Sequence, residues 1–358
     1  MNNEVMSPPT HGGPDALGVP AHDLSTNANA CGPYAPAVQA LRVADARHYP
    51  DPAYTALTVQ LAAWHGVAPA RIVLAASGSE FIQRISVAVA LQAPGARVWL
   101  PAHAYGDYAR AAQAAGLVRV DHPTDAALLW ACDPSSPLGQ PHAGLADQVA
   151  ALRRGQALVL DQAYEPLRLA GALALDAAAQ DRVWHLVTPD KALGLTGVRA
   201  AYAIAPRGAD AALLARLHAL APSWPVGAHG VALLQAWATV DAHDWLQDCR
   251  ATLRGWKARQ IDLLQAAGWR VAPSAANFLV AAGADGAGVE GRFGLNPLLT
   301  ALRAQGIKLR DCASFGLPGQ VRLAVVAPDV QDALMAGLVH AAGGQSLTVT
   351  EPLPVGGP

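Results

Sequence analysis

The strongest constraint on the fold is a regular alternation of short apolar runs with helical segments across residues 37–226. Runs such as 127–132 and 157–160 are apolar at successive positions, which is typical of strands covered on both faces. Between such runs, segments such as 81–89 repeat apolar residues at helical spacing. The pattern predicts an α/β fold whose large domain is a three-layer αβα structure with a mostly parallel sheet.

The pattern changes after Trp224 and Pro225, where longer helical segments precede short strands. This second part predicts a smaller α+β C-terminal domain, with strands at 269–271, 278–280, 308–310 and 321–323. The predicted domains are an N-terminal arm at 1–36, a large domain at 37–226, interdomain helices with the small domain at 227–345, and a flexible Gly/Pro-rich tail at 346–358.

Composition and charge exclude several classes of protein. Of the 358 residues, 52% are hydrophobic and 15% are charged, which is typical of a globular chain. The formal net charge of −2 offers no basic surface for nucleic acid. No apolar run is long enough to span a membrane, and the N-terminus lacks the pattern of a signal peptide. We therefore expect a cytoplasmic protein.

The four cysteines predict neither a metal site nor a disulfide framework. Cys31, Cys132, Cys249 and Cys312 are far apart, and no pair has the C-x-x-C spacing of zinc or redox motifs. Free thiols in a reducing compartment are the expected state.

Side chains that could take part in catalysis or binding follow the ends of predicted strands. They are Ser79, Tyr105, Ser136, Asp161 and Lys191. Because ligands of open α/β sheets bind at the carboxyl ends of the strands, we expect these five side chains to line one site.

A lysine, a carboxylate, a phenol and an arginine form the most informative set. Lys191 is followed by small and apolar residues and then by Arg199, while Asp161 ends an apolar strand just before Tyr164. Pyridoxal phosphate needs these groups: the lysine forms a Schiff base, the carboxylate pairs with the pyridinium nitrogen and the arginine binds the phosphate.

With these residues in order, the sequence resembles the fold-type I pyridoxal-phosphate enzymes of aminotransferase class I/II, from about His11 to Ala342. Within that family it is most similar to histidinol-phosphate aminotransferases and threonine-phosphate decarboxylases. The resemblance implies pyridoxal 5'-phosphate as cofactor, with Lys191, Asp161 and Tyr164 as catalytic residues. The residues that it implies for cofactor binding are Gly78, Ser79, Glu80, Tyr105, Ser136, Asp161, Tyr164, Thr188, Lys191 and Arg199.

The sequence departs from the family pattern at two positions. Ser136 stands where the family has the asparagine that donates to the phenolic oxygen of the cofactor. Asp190 stands where the family has a serine before the lysine. We expect Asp190 to point away from the cofactor phosphate and Thr188 to supply the hydroxyl instead.

The resemblance also implies a substrate pocket and a partner. Arg322 would hold a substrate carboxylate and Arg310 a distal anion, with Asn277 nearby. His11 and Asn27 belong to an arm that would cover the substrate. Tyr49 would reach the cofactor phosphate of a second subunit, which implies a homodimer.

Three functions remain open from the sequence. The first is an aminotransferase that acts on an amino acid or a phosphorylated amine, transferring the amino group to a 2-oxo acid or a phosphorylated keto compound. The second is a decarboxylase of threonine phosphate in cobalamin biosynthesis. The third, from another class, is a non-catalytic cofactor-binding protein on the same scaffold. A Rossmann dehydrogenase is disfavoured, because no G-x-G-x-x-G follows the first strand.

Overall fold

The computed structural model describes residues 11–283 and 295–341 in two compact units. The larger unit comprises Asn27–Leu253 and Pro273–Asn277, and the described part of the smaller unit comprises 11–26, Arg254–Ala272, 278–283 and 295–341. The domain boundaries at 36, 226 and 345 stay predictions, and the tail at 346–358 lies outside the described residues. No helix in the described ranges is long and apolar enough to cross a bilayer.

The strands are, in chain order, β1 His22–Asp23, β2 Ile72–Ala75, β3 Arg97–Trp99, β4 Val118–Val120, β5 Leu128–Cys132, β6 Ala157–Asp161, β7 Trp184–Val187, β8 Ala201–Ile204, β9 Trp269–Val271, β10 Phe278–Gly283, β11 Ile307–Lys308, β12 Arg310–Asp311 and β13 Gln320–Ala324.

The α-helices are α1 Ala35–Val43, α2 Thr55–His65, α3 Gly78–Gln92, α4 Gly106–Ala114, α5 Leu145–Ala150, α6 Ala177–Gln180, α7 Ala211–Ala219, α8 Ala228–Trp237, α9 Val240–Ala266, α10 Leu295–Ala304 and α11 Pro328–Ala341. The sequence did not predict α1 or α7. Within α7, Arg216 and His218 interrupt the apolar pattern.

A seven-stranded sheet with the order β2-β8-β7-β6-β5-β3-β4 forms the larger unit. Neighbours from β7 to β4 pair in parallel, and only β8 runs against the others. Cys132 at the end of β5 is paired with Asp161 at the end of β6. The carboxyl ends of the central strands therefore meet at one edge.

Helices cover both faces of this sheet. On one face, Phe81 of α3 and Ala111 of α4 pack with Trp130 of β5 and Val159 of β6 in a buried core. On the other face, Val149 of α5 belongs to a second buried core. The predicted α/β class with a mostly parallel, doubly covered sheet is thereby confirmed.

The smaller unit contains an antiparallel sheet with the order β12-β13-β10-β9 and a parallel pair, β1 with β11. The prediction of one strand at 308–310 is wrong. Lys308 pairs with β1, whereas Arg310 pairs with β13, so the chain changes sheets at Leu309. Ile307 and Leu309 are both buried. Their spacing of two indicates extended backbone, but it does not identify the partner strand.

Gly230 in α8 tests the close packing of the larger unit. An added Cβ would lie 2.6 Å from Val226 Cγ1 and 3.0 Å from the carbonyl oxygen of Arg199. We expect Gly230→Ala to lower the free energy of unfolding by about 1–3 kcal/mol through overpacking, as measured by urea denaturation.

The control is Gly255→Ala in α9, where an added Cβ meets nothing within 4 Å. Helix propensity should make that variant more stable by about 1 kcal/mol. Equal effects of the two changes would contradict the packing argument.

Candidate active site

Lys191 lies shortly after β7, in a segment held in place by Asn29 of the predicted arm. The backbone N–H of Asn29 donates to the Lys191 carbonyl over 2.9 Å, and the Asn29 side chain donates to Ala192 O over 3.0 Å. The Lys191 Nζ atom lies 5.7 Å from the centre of the Tyr164 ring. Asn29 was not among the predicted site residues, although it lies two positions after Asn27 of the predicted arm.

Asp161 is a buried carboxylate with two donors at the end of β6. The Tyr108 hydroxyl donates to Oδ2 over 2.6 Å, and the backbone N–H of Ala163 donates to Oδ1 over 2.9 Å. Burial raises the pKa of Asp161, while the hydrogen bonds from Tyr108 and Ala163 and the charge of Lys191 oppose that rise. Tyr108 itself stacks on Trp130 with 4.3 Å between ring centroids. The Tyr108 hydroxyl therefore orients the carboxylate.

Two asparagines meet near Tyr164. Asn27 Nδ2 donates to the Tyr164 hydroxyl over 3.2 Å, and Asn277 Nδ2 donates to the Asn27 carbonyl over 3.0 Å. The Oδ1 atoms of both asparagines are buried without a hydrogen-bond partner in the described structure. The predicted residues Asn27, Tyr164 and Asn277 therefore lie together, and two buried acceptors are open to a ligand donor.

The start of α3 presents backbone N–H groups and small side chains. The Ser77 side chain caps the helix by accepting from the Glu80 N–H over 3.1 Å. The Glu80 carboxylate accepts from the Ala76 N–H and pairs with Arg84. The backbone N–H and the carboxylate of Glu80 are thus both bonded within the protein, which argues against the predicted contact of Glu80 with a cofactor phosphate.

Gly78 and Ser79 are better placed for an anion. A Cβ on Gly78 would lie 2.8 Å from Thr188 Cγ2, so only glycine fits there without displacing Thr188. The Thr188 hydroxyl is buried and has no hydrogen-bond partner among the described residues. Ser79 Oγ lies 3.3 Å from the Tyr105 hydroxyl. Burial, and then the charge of Asp107, raises the pKa of Tyr105 to about 12, so its phenol stays protonated at neutral pH.

Asp190 does not point out to solvent. Its residue exposure is 6%, and its Oδ1 lies 3.9 Å from Lys191 Nζ. The carboxylate is therefore buried beside the lysine, and its direction relative to the cofactor phosphate stays a prediction.

Three other predicted residues differ in burial. Ser136 is buried after β5, in the loop whose Asp133 pairs with buried Arg168. Arg199 is exposed in the same unit as Lys191. Tyr49 is 76% exposed and stacks on Trp224 with 4.2 Å between ring centroids. The roles assigned to these three side chains stay predictions.

The predicted substrate arginines lie together in the smaller unit. Arg310 and Arg322 are directly paired across β12 and β13, and both guanidinium groups lie against the Phe315 ring, at 4.8 and 5.5 Å. Burial, and then the charge of Arg322, lowers the pKa of Arg310. Two buried guanidinium groups side by side form a positively charged site that favours the binding of an anion.

The predicted arm residues at 11–13 pack in the same unit. The Gly13 N–H donates to Ser25 Oγ over 2.8 Å, and Arg322 Nη2 donates to the Ser25 carbonyl over 3.1 Å. A Cβ on Gly12 would clash with the same carbonyl oxygen, so glycine is required for this approach. His11 is exposed at the end of the segment.

The family model for aminotransferase class I and II matches residues 21–341. The chain belongs to this family. Such aminotransferases depend on pyridoxal 5'-phosphate, which is therefore the cofactor, and the chain is an enzyme that acts on small molecules.

Known proteins resemble this chain over nearly its whole length. A histidinol-phosphate aminotransferase of Symbiobacterium thermophilum is 30% identical, covering 90% of this chain and 91% of the relative. The structure of histidinol-phosphate aminotransferase from Sinorhizobium meliloti in complex with pyridoxal-5'-phosphate has a TM-score of 0.76 at 21% identity, covering 92% and 93% of the two chains. L-threonine-O-3-phosphate decarboxylase from Porphyromonas gingivalis has a TM-score of 0.72 at 19% identity, covering 89% and 99%. The aminotransferase is thus most similar to histidinol-phosphate aminotransferases among these, with the fold of fold-type I enzymes.

The residues of the larger unit fit the cofactor. The unpartnered Thr188 hydroxyl and the space kept by Gly78 suit a phosphate, and the buried Asp161 carboxylate suits a protonated ring nitrogen. Within the described residues there is no group of three or more His, Cys, Asp or Glu side chains that could hold a metal ion.

Tyr108 should affect cofactor binding through Asp161. Tyr108→Phe removes a hydrogen bond to a charged group, and such a bond contributes about 1.5–3 kcal/mol. Because that bond lowers the pKa of Asp161, its loss raises the pKa, and the carboxylate becomes protonated at a higher pH. We expect cofactor affinity, measured by fluorescence titration, to fall about 10- to 100-fold and to be lost at a higher pH on acidification.

The matched control is Tyr202→Phe. Tyr202 is also a buried tyrosine, but its hydroxyl bonds His65 and Trp237 instead of Asp161. Its loss should leave the pH dependence of cofactor binding unchanged. The same pH shift in both variants would show that Tyr108 acts through stability alone.

Proposed function

We propose that this aminotransferase transfers an amino group between an amino acid and a phosphorylated keto compound or 2-oxo acid, with Lys191 as the lysine that carries the cofactor. The single observation behind this assignment is that Lys191 lies 5.7 Å from the Tyr164 ring and interacts electrostatically with Asp161 within the larger unit. The lysine is the only one of the three with an amine that can bond covalently to an aldehyde.

Individual residues would hold the cofactor as follows. Asp161 would accept from the ring nitrogen, and its two donors fix the direction of its carboxylate. The N–H groups at the start of α3, the Ser79 and Thr188 hydroxyls and Arg199 would bind the phosphate. Tyr105 would lie against the ring, while Tyr164 and Ser136 would contact the ring oxygen. The bound cofactor supplies an electron sink for the bonds of the substrate α-carbon.

Lys191 would act as the proton carrier once the substrate amine has displaced it. A free amine at Nζ can take the proton from the substrate α-carbon and return it at the neighbouring carbon, so that donor and acceptor exchange the amino group. Tyr164 and Asp161 would stay in place during this transfer, because Asn27 and Tyr108 hydrogen-bond to them.

Arg310 and Arg322 would bind the anionic groups of the substrate. Two arginines side by side can bind a phosphate, or a carboxylate and a phosphate, through charge-assisted hydrogen bonds. This favours a phosphorylated amine or amino acid as substrate. Histidinol phosphate has a phosphate but no α-carboxylate, so that substrate would use the arginines for the phosphate.

Decarboxylation of threonine phosphate is the second candidate. It is favoured by the packing of Gly12 and Gly13 against Ser25, whose carbonyl accepts from Arg322. An arm held so close to a substrate arginine is suited to covering a phosphate. Whether a carbon–hydrogen or a carbon–carboxylate bond breaks depends on which bond stands perpendicular to the cofactor ring.

The assembly we propose is a cytoplasmic homodimer. Tyr49 stacks on Trp224 at the surface, and these two residues are 76% and 39% exposed. A second copy that covers this pair would bring Tyr49 within reach of its cofactor phosphate, as the family resemblance implies.

Borohydride reduction of the holo-protein tests the role of Lys191. The reductant converts the lysine–cofactor bond to a stable amine, and peptide mapping then locates the label. We expect the label at Lys191 and none in Lys191→Ala. Lys257 is the control, since it is a buried lysine in the smaller unit and its variant should still be labelled at Lys191. A label at any other lysine would refute the assignment.

A substrate panel distinguishes the two candidate reactions. Holo-protein is mixed with histidinol phosphate plus 2-oxoglutarate, with other amino donors, and with threonine phosphate, and both keto product and carbon dioxide are measured. Transamination predicts keto product without carbon dioxide. Carbon dioxide from threonine phosphate supports the decarboxylase, and the absence of turnover and of any spectral change would favour a non-catalytic protein.

The arginine pair predicts different losses for different substrates. A charge-assisted hydrogen bond contributes about 1.5–3 kcal/mol, which is roughly one to two powers of ten in affinity. Arg322→Ala should raise KM by this factor for every α-carboxylate substrate, whereas Arg310→Ala should do so only for substrates with a second anion. Arg303→Ala, which removes an arginine paired with Asp15, is the control. Equal losses with all substrates in both pocket variants would contradict this division.

A further inference from the structure

The departure at Asp190 places a second buried carboxylate beside the lysine. Its Oδ1 atom is 3.9 Å from Lys191 Nζ, and that oxygen has no hydrogen-bond partner within the described part of the chain. An ionised carboxylate in a buried position is costly unless a charge or a donor compensates it. Within residues 11–283 and 295–341, Lys191 is the cation that pairs with Asp190.

A carboxylate cannot replace the function of a serine at this position. A serine hydroxyl donates a hydrogen bond to a phosphate, whereas an ionised carboxylate only accepts and would repel the phosphate charge. The donor capacity is available from Thr188, whose hydroxyl is buried and unpartnered. Asp190 is therefore free of the phosphate-binding role and faces the amine instead.

Four acidic or phenolic groups interact electrostatically with the Lys191 amine. Asp190 comes from its own segment, Asp161 and Tyr164 come from the end of β6 and the turn after it, and Tyr105 precedes α4. Burial lowers the pKa of Lys191, but these groups, Asp190 foremost, raise it above its usual value. The charge of Asp161 is already compensated by two hydrogen bonds, whereas Asp190 Oδ1 has none.

We infer that Asp190 is a positioning residue that acts as counter-ion to Lys191 and sets the pH at which the lysine nitrogen gives up its positive charge. The inference rests on the proposed role of Lys191. Condensation with an aldehyde requires the ammonium to lose a proton first. The nitrogen then bonds to the aldehyde carbon, and the aldehyde oxygen leaves as water. A fixed negative charge 3.9 Å from the nitrogen moves the deprotonation to higher pH. After the bond has formed, the same charge stabilises positive charge on that nitrogen.

Removal of the charge should have a measurable consequence. An opposite charge within about 4–6 Å shifts a pKa by about 1–3 units. In Asp190→Asn and in Asp190→Ser, which restores the family residue, the lysine nitrogen should therefore lose its positive charge at a pH lower by about 1–3 units.

The first measurement is a pH titration of the visible absorption band of the holo-protein, which reports the charge on that nitrogen. The second is acetylation of the full-length protein without cofactor over a series of pH values, with the modified fraction of Lys191 read by peptide mass. Both midpoints should fall in the two Asp190 variants. Asp147→Asn, which removes one exposed carboxylate in α5, should leave both midpoints unchanged.

The outcomes separate this inference from the proposed function. A borohydride label on a lysine other than Lys191 would sink the proposed function, while acetylation would still report whether Asp190 holds the Lys191 charge. If the label is at Lys191 but neither variant moves the midpoints more than Asp147→Asn does, the counter-ion role is wrong. Circular dichroism checks folding, and Asp190→Ser serves as the second variant if Asp190→Asn does not fold.

Discussion

The buried carboxylate at the end of β6 is the constraint on which the site depends. Burial raises the pKa of Asp161, and the hydrogen bonds from the Tyr108 hydroxyl and the Ala163 N–H, together with the charge of Lys191, oppose that rise. Tyr108 is in turn fixed by its stack on Trp130 of the neighbouring strand. The aromatic core on one face of the sheet therefore determines the direction of the carboxylate, which links packing to cofactor chemistry.

The polar groups near Lys191 differ in whether they have hydrogen-bond partners within the protein. Asp161 and Tyr164 are held by hydrogen bonds within the larger unit, whereas Thr188 Oγ1, Asn27 Oδ1, Asn277 Oδ1 and Asp190 Oδ1 are buried without partners in the described structure. Buried polar atoms are usually hydrogen-bonded, so a cluster of exceptions is typical of a ligand site. A phosphate or a substrate group would satisfy the hydroxyl, and the lysine nitrogen compensates Asp190.

Several features of the fold could be predicted because they depend on local pattern. The apolar runs of β5 and β6 and the helical spacing of α3 identify these elements without tertiary information. The change of sheets at Leu309 could not be predicted, because extended backbone looks the same whichever strand it pairs with. The hydrogen bond from Tyr108 to Asp161 could not be predicted for a similar reason, since a buried aromatic residue in a helix gives no sign of what its hydroxyl contacts.

The sequence by itself determined the α/β class, the order of the motifs and the residue types of the site, because hydrophobic period and motif spacing are properties of the chain. Only the tertiary structure decided that Asp190 faces Lys191, that the Glu80 carboxylate is paired with Arg84, and that Arg310 lies opposite Arg322. Side-chain direction, burial and charge compensation depend on atoms from distant parts of the sequence, and these meet only when the sheet and its covering helices have formed.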